Sequence, residues 1–318
     1  MVLADAELPG AASELVAYST ETREADEDAA ATRVAAACTL FRHSDIPILF
    51  KKIDSTLRGP YAAELAALMQ ELRIAKAILN PAFPEQGRIV EAGEAFVVGP
   101  EGERRSVARI AQLPGVDVPD ARSREDLDAI VARVFDDTGL PLICGSGGIA
   151  LSVAAILARR CNRTAASAPR PQLNSGLPLL FIGTDHPATE AQVLHLRNRG
   201  IVEEHPLRDL GSPTGKRPVL VCVDWSAPLD FRPLLEAIGE GRHGALILSG
   251  GSTARTVLEA LGAGRIDLLG QFGPGLPWGR IGGGIADGGL VAVKSGGFGG
   301  NDTLEMILRQ FVPADNSQ

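Results

Sequence analysis

Pro47–Pro60, PILFKKIDSTLRGP, is the stretch from which the rest of the chain is read. Ile48, Leu49 and Phe50 make an apolar run, and the chain then turns polar at once through Lys51, Lys52, Asp54, Ser55, Thr56 and Arg58. Gly59 and Pro60 follow. Beyond them Leu65, Leu68, Met69 and Leu72 recur at helical spacing, with Pro60 suited to a first helical position. A buried strand that ends in charges and hydroxyls and then enters a helix is where open α/β sheets place ligands. Two amines and a guanidinium around one carboxylate and two hydroxyls, beside a helix N-terminus that favours anions, suit a small polyhydroxylated acid. A strand followed by a solvated loop accounts for the same pattern without a ligand.

The flanking sequence repeats this strand-to-helix grammar. Upstream, Met1 to Ala4 and Glu14 to Ser19 read as strands, and the nine residues between them, Asp5 to Ser13, leave no room for the helix that two parallel strands require. The chain therefore reads as beginning inside an architecture. Ser19-Thr20-Glu21-Thr22-Arg23 closes the second strand; Thr22 or a neighbour is suited to cap the Ala-rich helix running to about Phe41, and a substrate contact is the other reading. Val34, Ala37, Cys38 and Phe41 give that helix a core face. Downstream, Ala75 to Leu79 is a short strand ending in the stiff loop Asn80-Pro81-Ala82-Phe83-Pro84-Glu85-Gln86-Gly87-Arg88. Ser123 with Asp126 three residues on marks a helix start. Leu140 to Cys144 is a strand leading into Gly145-Ser146-Gly147-Gly148 and a helix to about Arg160. Such a turn either cradles a phosphate or lets the helix pack closely.

Asn162–Gly176, NRTAASAPRPQLNSG, is polar, small and aperiodic, and reads as a linker. The expected division is residues 1–165 for a ligand domain, 166–176 for the connection and 177–318 for a second α/β domain. In that second domain Leu177 to Ile182 is a strand ending at Gly183-Thr184-Asp185-His186, and Pro187 starts a helix through Asn198. His186 is more often a cap or surface group in such a loop than a base. Pro218 to Val223 and Ala245 to Leu248 continue the strands. Ser249-Gly250-Gly251-Ser252-Thr253-Ala254-Arg255 then offers backbone amides and two hydroxyls at a helix's positive end. The last glycine-rich turn, in Val291–Gly299, VAVKSGGFG, precedes the terminal helix.

Composition narrows the classes. Net charge is −8 and pI about 5.3, which argues against a nucleic-acid or anionic-membrane partner, so any anionic ligand must be met by local positive charge. Aromatic residues are 4% against 45% hydrophobic, so the cores are built from Ala, Val, Leu and Ile. The four cysteines lack CxxC spacing; Cys38, Cys144 and Cys222 lie in apolar runs, where a free thiol behaves as a small hydrophobe. No apolar run reaches the roughly 18 residues of a membrane span, no signal-peptide pattern is present, and the five histidines lack metal-ligand spacing. The expectation is a reduced, cytoplasmic protein.

KKIDSTLRG resembles the signature of the four-carbon acid sugar kinase family, whose members phosphorylate threonate, erythronate or 3-oxo-tetronates with ATP. The family usually has Asn at the place of Pro60. It also has a Thr-Glu-Thr-Arg stretch, a Pro-Ala-Phe-Pro…Gly-Arg loop, a Gly-Gly-[Asp/Glu]-Thr turn and a Lys-Ser-Gly-x-Phe-Gly turn, each with a counterpart here in the same order, the third with its acid replaced. The resemblance implies two α/β domains with mainly parallel sheets, the first for the sugar acid and the second for the nucleotide. It implies ATP and Mg²⁺, and a γ-phosphoryl transfer to a terminal hydroxyl. By the same resemblance Arg58 and Lys52 meet the substrate carboxylate or the phosphoryl group, Ser55 and Thr56 hold sugar hydroxyls, Asp54 orients or deprotonates the attacking hydroxyl, and Arg88 closes over the substrate. Gly183, Thr184, Gly250, Gly251, Ser252, Thr253, Lys294, Gly296 and Gly297 would hold the nucleotide. Ser252 stands where the family has an acid, and Asp185 and His186 depart from its Gly-Ser-x-Ser turn. The family's first βα unit, with Asp-Asp-x-Thr-Gly-Ala, has no counterpart here. Three alternatives follow: a catalytically weak homologue that binds its ligands, an enzyme whose start is encoded upstream, and a sugar-acid or nucleotide sensor. A homodimer is a further expectation.

Overall fold

The computed structural model describes residues 15–41, 48–99, 101–136, 142–162, 171–173, 176–210 and 217–311. The expected strand at Met1 to Ala4 and most of the expected linker lie outside them. The described residues form two compact units, 20–162 and 171–311, the latter taking in 15–19. The strand expected over Glu14 to Ser19 is not formed in 15–19, where only Tyr18 makes a bridge.

The first unit contains α1 (Glu27–Phe41), β1 (Phe50–Lys52), α2 (Tyr61–Glu71), β2 (Ala77–Asn80), β3 (Arg88–Glu91), β4 (Glu94–Val98), β5 (Arg104–Arg109), β6 (Val116–Asp117), α3 (Arg124–Asp136), β7 (Leu142–Gly145) and α4 (Gly147–Arg160). Its parallel sheet has the order β1-β7-β2-β6. Strands β3, β4 and β5 form a separate antiparallel meander. The strand at the opening stretch is displaced toward its polar end: Phe50, Lys51 and Lys52 pair with Ile143, Cys144 and Gly145. Pleating sends consecutive side chains to opposite faces, so the two lysines separate. Lys51 forms a buried ion pair with Glu64 in the first turn of α2, while Lys52 is exposed. The expected helical stripes pack largely as read: Val34, Ala37 and Cys38 are buried on α1, and Leu65, Leu68 and Met69 on α2, while Phe41 and Leu72 at the helix ends are half-buried. The Asp26 carboxylate, not Thr22, accepts the N–H of Ala29 at the start of α1.

The second unit contains β8 (Leu177–Ile182), α5 (Pro187–Asn198), β9 (Glu203–Glu204), β10 (Val219–Cys222), α6 (Arg232–Gly239), β11 (His243–Ser249), α7 (Gly251–Ala260), β12 (Arg265–Gln271), β13 (Pro277–Gly282), β14 (Leu290–Lys294) and α8 (Thr303–Phe311). Sheet order is β12-β13-β14-β11-β8-β10-β9, parallel from β14 to β9 and antiparallel at β12 and β13. Val193 and Leu196 of α5 pack with Leu304, Ile307, Leu308 and Phe311 of α8 in one core. Leu234 of α6 and Val257 and Leu258 of α7 pack in another. The chain leaves β8 toward β9 and β10, then crosses to β11 on the other side of β8. The carboxyl ends of β8 and β11 therefore flank a topological switch point, where open α/β sheets form their ligand crevice. Cys38 and Cys144 are buried as expected, but Cys222, the last residue of β10, is exposed. Among the described residues no helix is long and apolar enough to cross a membrane.

Candidate functional site

In the first unit the loops after β1, β2 and β7 leave the same edge of the parallel sheet. Ile53 N–H donates to Gly145 O at 2.9 Å and Ser146 N–H to Asn80 O at 3.3 Å, which binds the three loop roots together. Asp54 is the hub of the first loop. Its Oδ1 accepts from the Thr56 hydroxyl at 2.6 Å and the Thr56 N–H at 2.8 Å. Its Oδ2 accepts from Arg58 at 2.8 Å and pairs with Arg23 at 3.4 Å. Burial pushes the Asp54 carboxyl up, but the hydrogen bonds from Arg58 and Thr56 outweigh it and hold the group well below the usual carboxylate range. Although the Lys52 side chain as a whole is exposed, its ammonium end is partly buried against the Ile53 carbonyl, and that burial lowers its pKa; Asp54 opposes this, and Arg23 and Lys51 add to it. The Lys52 Nζ donates to Ile53 O at 2.6 Å. Leu57, in the same loop, is buried with φ of +59°, a strained conformation for a side-chain-bearing residue that surrounding contacts must impose. Two guanidiniums and an amine are thus gathered around one carboxylate, with the Arg23 and Arg58 side chains 58% and 66% exposed and available to an anion.

Arg23 is the residue that sequence reasoning undervalued. It belongs to the Ser19–Arg23 stretch read mainly as a helix cap, and its backbone oxygen would lie 3.1 Å from a Cβ placed on Gly59. The signal was present as a polar run after an apolar one. Ser55 is half-buried beside the hub. Arg88 donates to Gln86 O, its Nε is buried without a partner, and among the described residues no hydrogen bond or ion pair joins it to the Asp54 cluster. Gly145–Gly148 is a packing turn. Side chains on Gly145 and Gly148 would collide with the carbonyls of Asn80 and Ala82, and one on Gly147 would lie 2.9 Å from the Phe83 ring. Ser146, fully buried, caps α4 through Gly148 N–H at 3.1 Å and donates to Ala82 O at 2.7 Å.

In the second unit three turns converge at the switch point. A Cβ on Gly250 would lie 2.9 Å from the Thr253 hydroxyl and 3.4 Å from Thr184 Cβ. One on Gly296 would lie 2.6 Å from the Thr184 hydroxyl, and one on Gly297 would lie 3.0 Å from His186 Nε2. Gly250 caps α7 at φ +106°, which only glycine adopts without strain, whereas Gly251 faces open space. His186 is a cap: its Nδ1 accepts from Ala188 N–H at 3.2 Å. Thr253 is buried and Ser252 exposed, so of the two only Ser252 offers its hydroxyl outward.

Lys294 does not offer its ammonium to the crevice. It is fully buried, and Nζ donates to the Thr189 hydroxyl at 3.0 Å and to the carbonyls of Ser295, Gly296 and Phe298 at 2.9, 3.2 and 3.3 Å. Burial lowers its pKa to about 8. Gln192 of α5 adds donors to the carbonyls of Phe298, Gly299 and Gly300 at 3.0, 3.3 and 2.9 Å. In a trans peptide the N–H points opposite to the C=O. Turning these carbonyls inward therefore turns the amides of Gly296, Gly297, Gly299, Gly300 and Asn301 outward, the arrangement of an anion-binding nest. Thr189 and Gln192 were not foreseen. Their signal was two polar residues sharing the face of α5 that carries Val193 and Leu196.

Residues 2–117 match the family model of a sugar-binding N-terminal domain, and residues 232–304 match that of a nucleotide-binding C-terminal domain. The chain belongs to the four-carbon acid sugar kinase family. A D-threonate kinase of Bordetella bronchiseptica is 27% identical over 357 aligned residues, covering 92% of this chain and 85% of the relative. A 3-oxo-tetronate kinase of Pseudomonas savastanoi pv. phaseolicola is 25% identical, covering 90% and 84%. A solved Salmonella typhimurium LT2 structure, 19% identical over 98% of this chain and 92% of its own, superposes with a TM-score of 0.74 and shares the fold. Within the family division, the Asp54 cluster falls in the sugar-binding match, and the Gly250 and Gly296 turns fall in the nucleotide-binding match.

Proposed function

We propose that this protein is an ATP-dependent kinase that transfers the γ-phosphoryl group of ATP to the terminal hydroxyl of a four-carbon sugar acid such as threonate, erythronate or a 3-oxo-tetronate. The observation that carries the reading is the meeting of three glycine turns, 183–184, 250–253 and 296–297, at the switch point of the second sheet. Outward amides there suit phosphates, and the start of α7 adds its dipole. In the first unit Arg23, Arg58 and Lys52 suit the substrate carboxylate, with Ser55 left for a hydroxyl. Thr56 is already committed to Asp54. Asp54 acts as an orienting clamp; a carboxyl held so far below the usual range is a poor proton acceptor.

Among the described residues no three ligating side chains gather as a metal cage. Mg²⁺ in phosphoryl transfer keeps several waters and takes only one or two protein oxygens besides the phosphates. One or two of Thr184, Asp185 and Ser252, on turns at the crevice, would meet that need. Bound there, Mg²⁺ would neutralise charge on the phosphate oxygens. The protein's own contribution is to position both ligands and exclude competing geometries. A cytoplasmic location accords with this chemistry, since ATP is the donor.

The test is ADP release with Mg²⁺ and ATP across D-threonate, D-erythronate and their 3-oxo forms. Acid-dependent turnover on at least one is expected, and Arg58→Ala should raise its KM at least tenfold, with Arg58→Lys restoring part because an ammonium cannot bind a carboxylate in two-pronged fashion. Nucleotide binding without turnover on any of them would favour a sensor and overturn the kinase reading.

A further inference from the structure

Trp225 is one of two tryptophans in a chain with few aromatic residues, and it is 43% exposed. The other, Trp278, is buried at 2% and stacks on Phe272. An indole joins a large apolar face to one N–H donor, so what holds it in place decides what its exposed face can do. Trp225 follows β10, the strand beside β8, at the carboxyl end of the sheet. Asp224 accepts the Ser226 N–H at 2.9 Å, and this tight turn carries the indole clear of the strand. The ring is not left free to wander. Its Nε1 donates to Gly183 O at 2.6 Å, and its Cζ2 and Nε1 would each lie 2.7 Å from a Cβ on Gly183. The same Cβ would collide with the Thr253 hydroxyl. Gly183 is therefore sandwiched between the indole and the turn that starts α7. A rigid, half-exposed aromatic face stands within one residue's width of the phosphate-suited amides.

We propose that Trp225 is the nucleobase platform of the nucleotide site, its exposed face stacking the purine of ATP while the turns at 250–253 and 296–300 hold the phosphates. The inference rests on the nucleotide reading of this crevice and adds to it the residue that recognises the base. The hydrogen bond to Gly183 fixes the ring in advance, so little rotamer freedom is lost when a base stacks on it. Stacking on an aromatic face does not distinguish bases through hydrogen bonds. The platform accepts adenine and guanine alike, and the phosphate turns supply the common affinity.

The experiment uses the full chain with ATP, GTP and inorganic tripolyphosphate, each with Mg²⁺. Intrinsic fluorescence and calorimetric titration are followed in the parent protein, Trp225→Ala and Trp225→Phe. ATP and GTP should quench the fluorescence and tripolyphosphate should not, and the quench should vanish in both variants. Trp225→Ala should weaken ATP and GTP on the order of tenfold and leave tripolyphosphate unchanged, with Trp225→Phe restoring most of the affinity. If ATP binds without quenching and Trp225→Ala binds it as tightly as the parent, the platform is refuted while the nucleotide site stands. If all three ligands weaken equally in Trp225→Ala, the indole only supports the Gly183 turn, and the proposal also falls. No binding of any of them to the parent protein removes the nucleotide reading and the platform with it.

Discussion

Replacing Lys294 by methionine, which keeps the length of the side chain and removes its charge, separates the two effects of that ammonium. The wild-type cation is fully buried with its pKa lowered from 10.5 to about 8. At about 1.4 kcal/mol per unit, that burial costs about 3 kcal/mol at neutral pH. Against this stand four hydrogen bonds from Nζ. None of the acceptors is orphaned when the cation goes: Ser295 O still receives Phe298 N–H, Gly296 O the Thr189 hydroxyl, and Phe298 O the Gln192 amide. The loss is then roughly 1 kcal/mol per bond, and the two effects nearly cancel. Lys294→Met should change unfolding free energy at pH 7 by no more than about 2 kcal/mol. It should nonetheless weaken ATP on the order of tenfold, because the amides of 296–301 lose the anchor that aims them. The pH dependence gives the sharper readout. Below pH about 8 both folded and unfolded states carry the proton, so the burial cost is constant. Between about 8 and 10.5 the folded state has released it while the unfolded state retains it, so wild-type stability rises with pH. Urea unfolding of both proteins should therefore show the wild type gaining about 2–3 kcal/mol on the variant by pH 10. A difference that stays flat from pH 7 to 10 would refute the buried, charge-bearing Lys294.

Asp54→Asn keeps the shape of the clamp and removes its charge. It should raise KM for the sugar acid about tenfold with a smaller loss in kcat, whereas a kcat fall of a hundredfold to ten-thousandfold at unchanged KM would show a catalytic base instead. A Cβ on Gly251 would have no atom within 4 Å, so in Gly251→Val the melting temperature should hold while the stabilisation by millimolar ATP is lost; retained stabilisation would place the phosphates elsewhere. Gly148→Ala forces a methyl group onto the Ala82 carbonyl. It should destabilise the protein by about 1–3 kcal/mol in urea and leave ATP affinity unchanged, and a selective loss of ATP binding would revive the phosphate-cradle reading of that turn.

Much of this was legible because strand-to-helix punctuation survives in the local sequence. Pro187 and Asn198 bound α5 as read, and the apolar stripes of α1 and α2 are buried where the 3.6-residue period puts them. The glycine turns at 250 and 296 were found because a motif's backbone need is written in its composition. What the sequence did not disclose was the direction of side chains. Lys51 and Lys52 look equivalent in a string, yet pleating gives one to Glu64 and the other to the Asp54 hub. Lys294 looks like a phosphate ligand until the surrounding carbonyls show that it faces inward. Gly145–Gly148 and Gly250–Gly251 are alike in spelling, and only the chain packed against the first distinguishes a spacer from an open turn. Arg23 reaches Asp54 across 31 positions, a distance at which periodicity carries no information.

Under the proposed function, the two units meet the same difficulty, an anion to be held by a chain of net charge −8, with opposite devices. After β1 the binding charges are side chains. Arg23 and Arg58 are long, exposed and costly to order, and a carboxylate at their base restrains them before any ligand arrives. Asp54 is thus spent on holding cations, which is why its proton affinity is so low. After β14 the binding groups are backbone amides, which carry no net charge and need only direction. There the restraint is a buried cation, Lys294, holding the carbonyl side of each peptide so that the N–H side faces out. Neither restraining charge touches the ligand in this arrangement, yet each decides whether the groups that do are in place. The residues most conspicuous in the sequence as reagents, Asp54 and Lys294, are on this argument the ones that shape the site, and the contacts pass to neighbours that look ordinary in the string: Arg23, Ser252 and the glycines of 296–300.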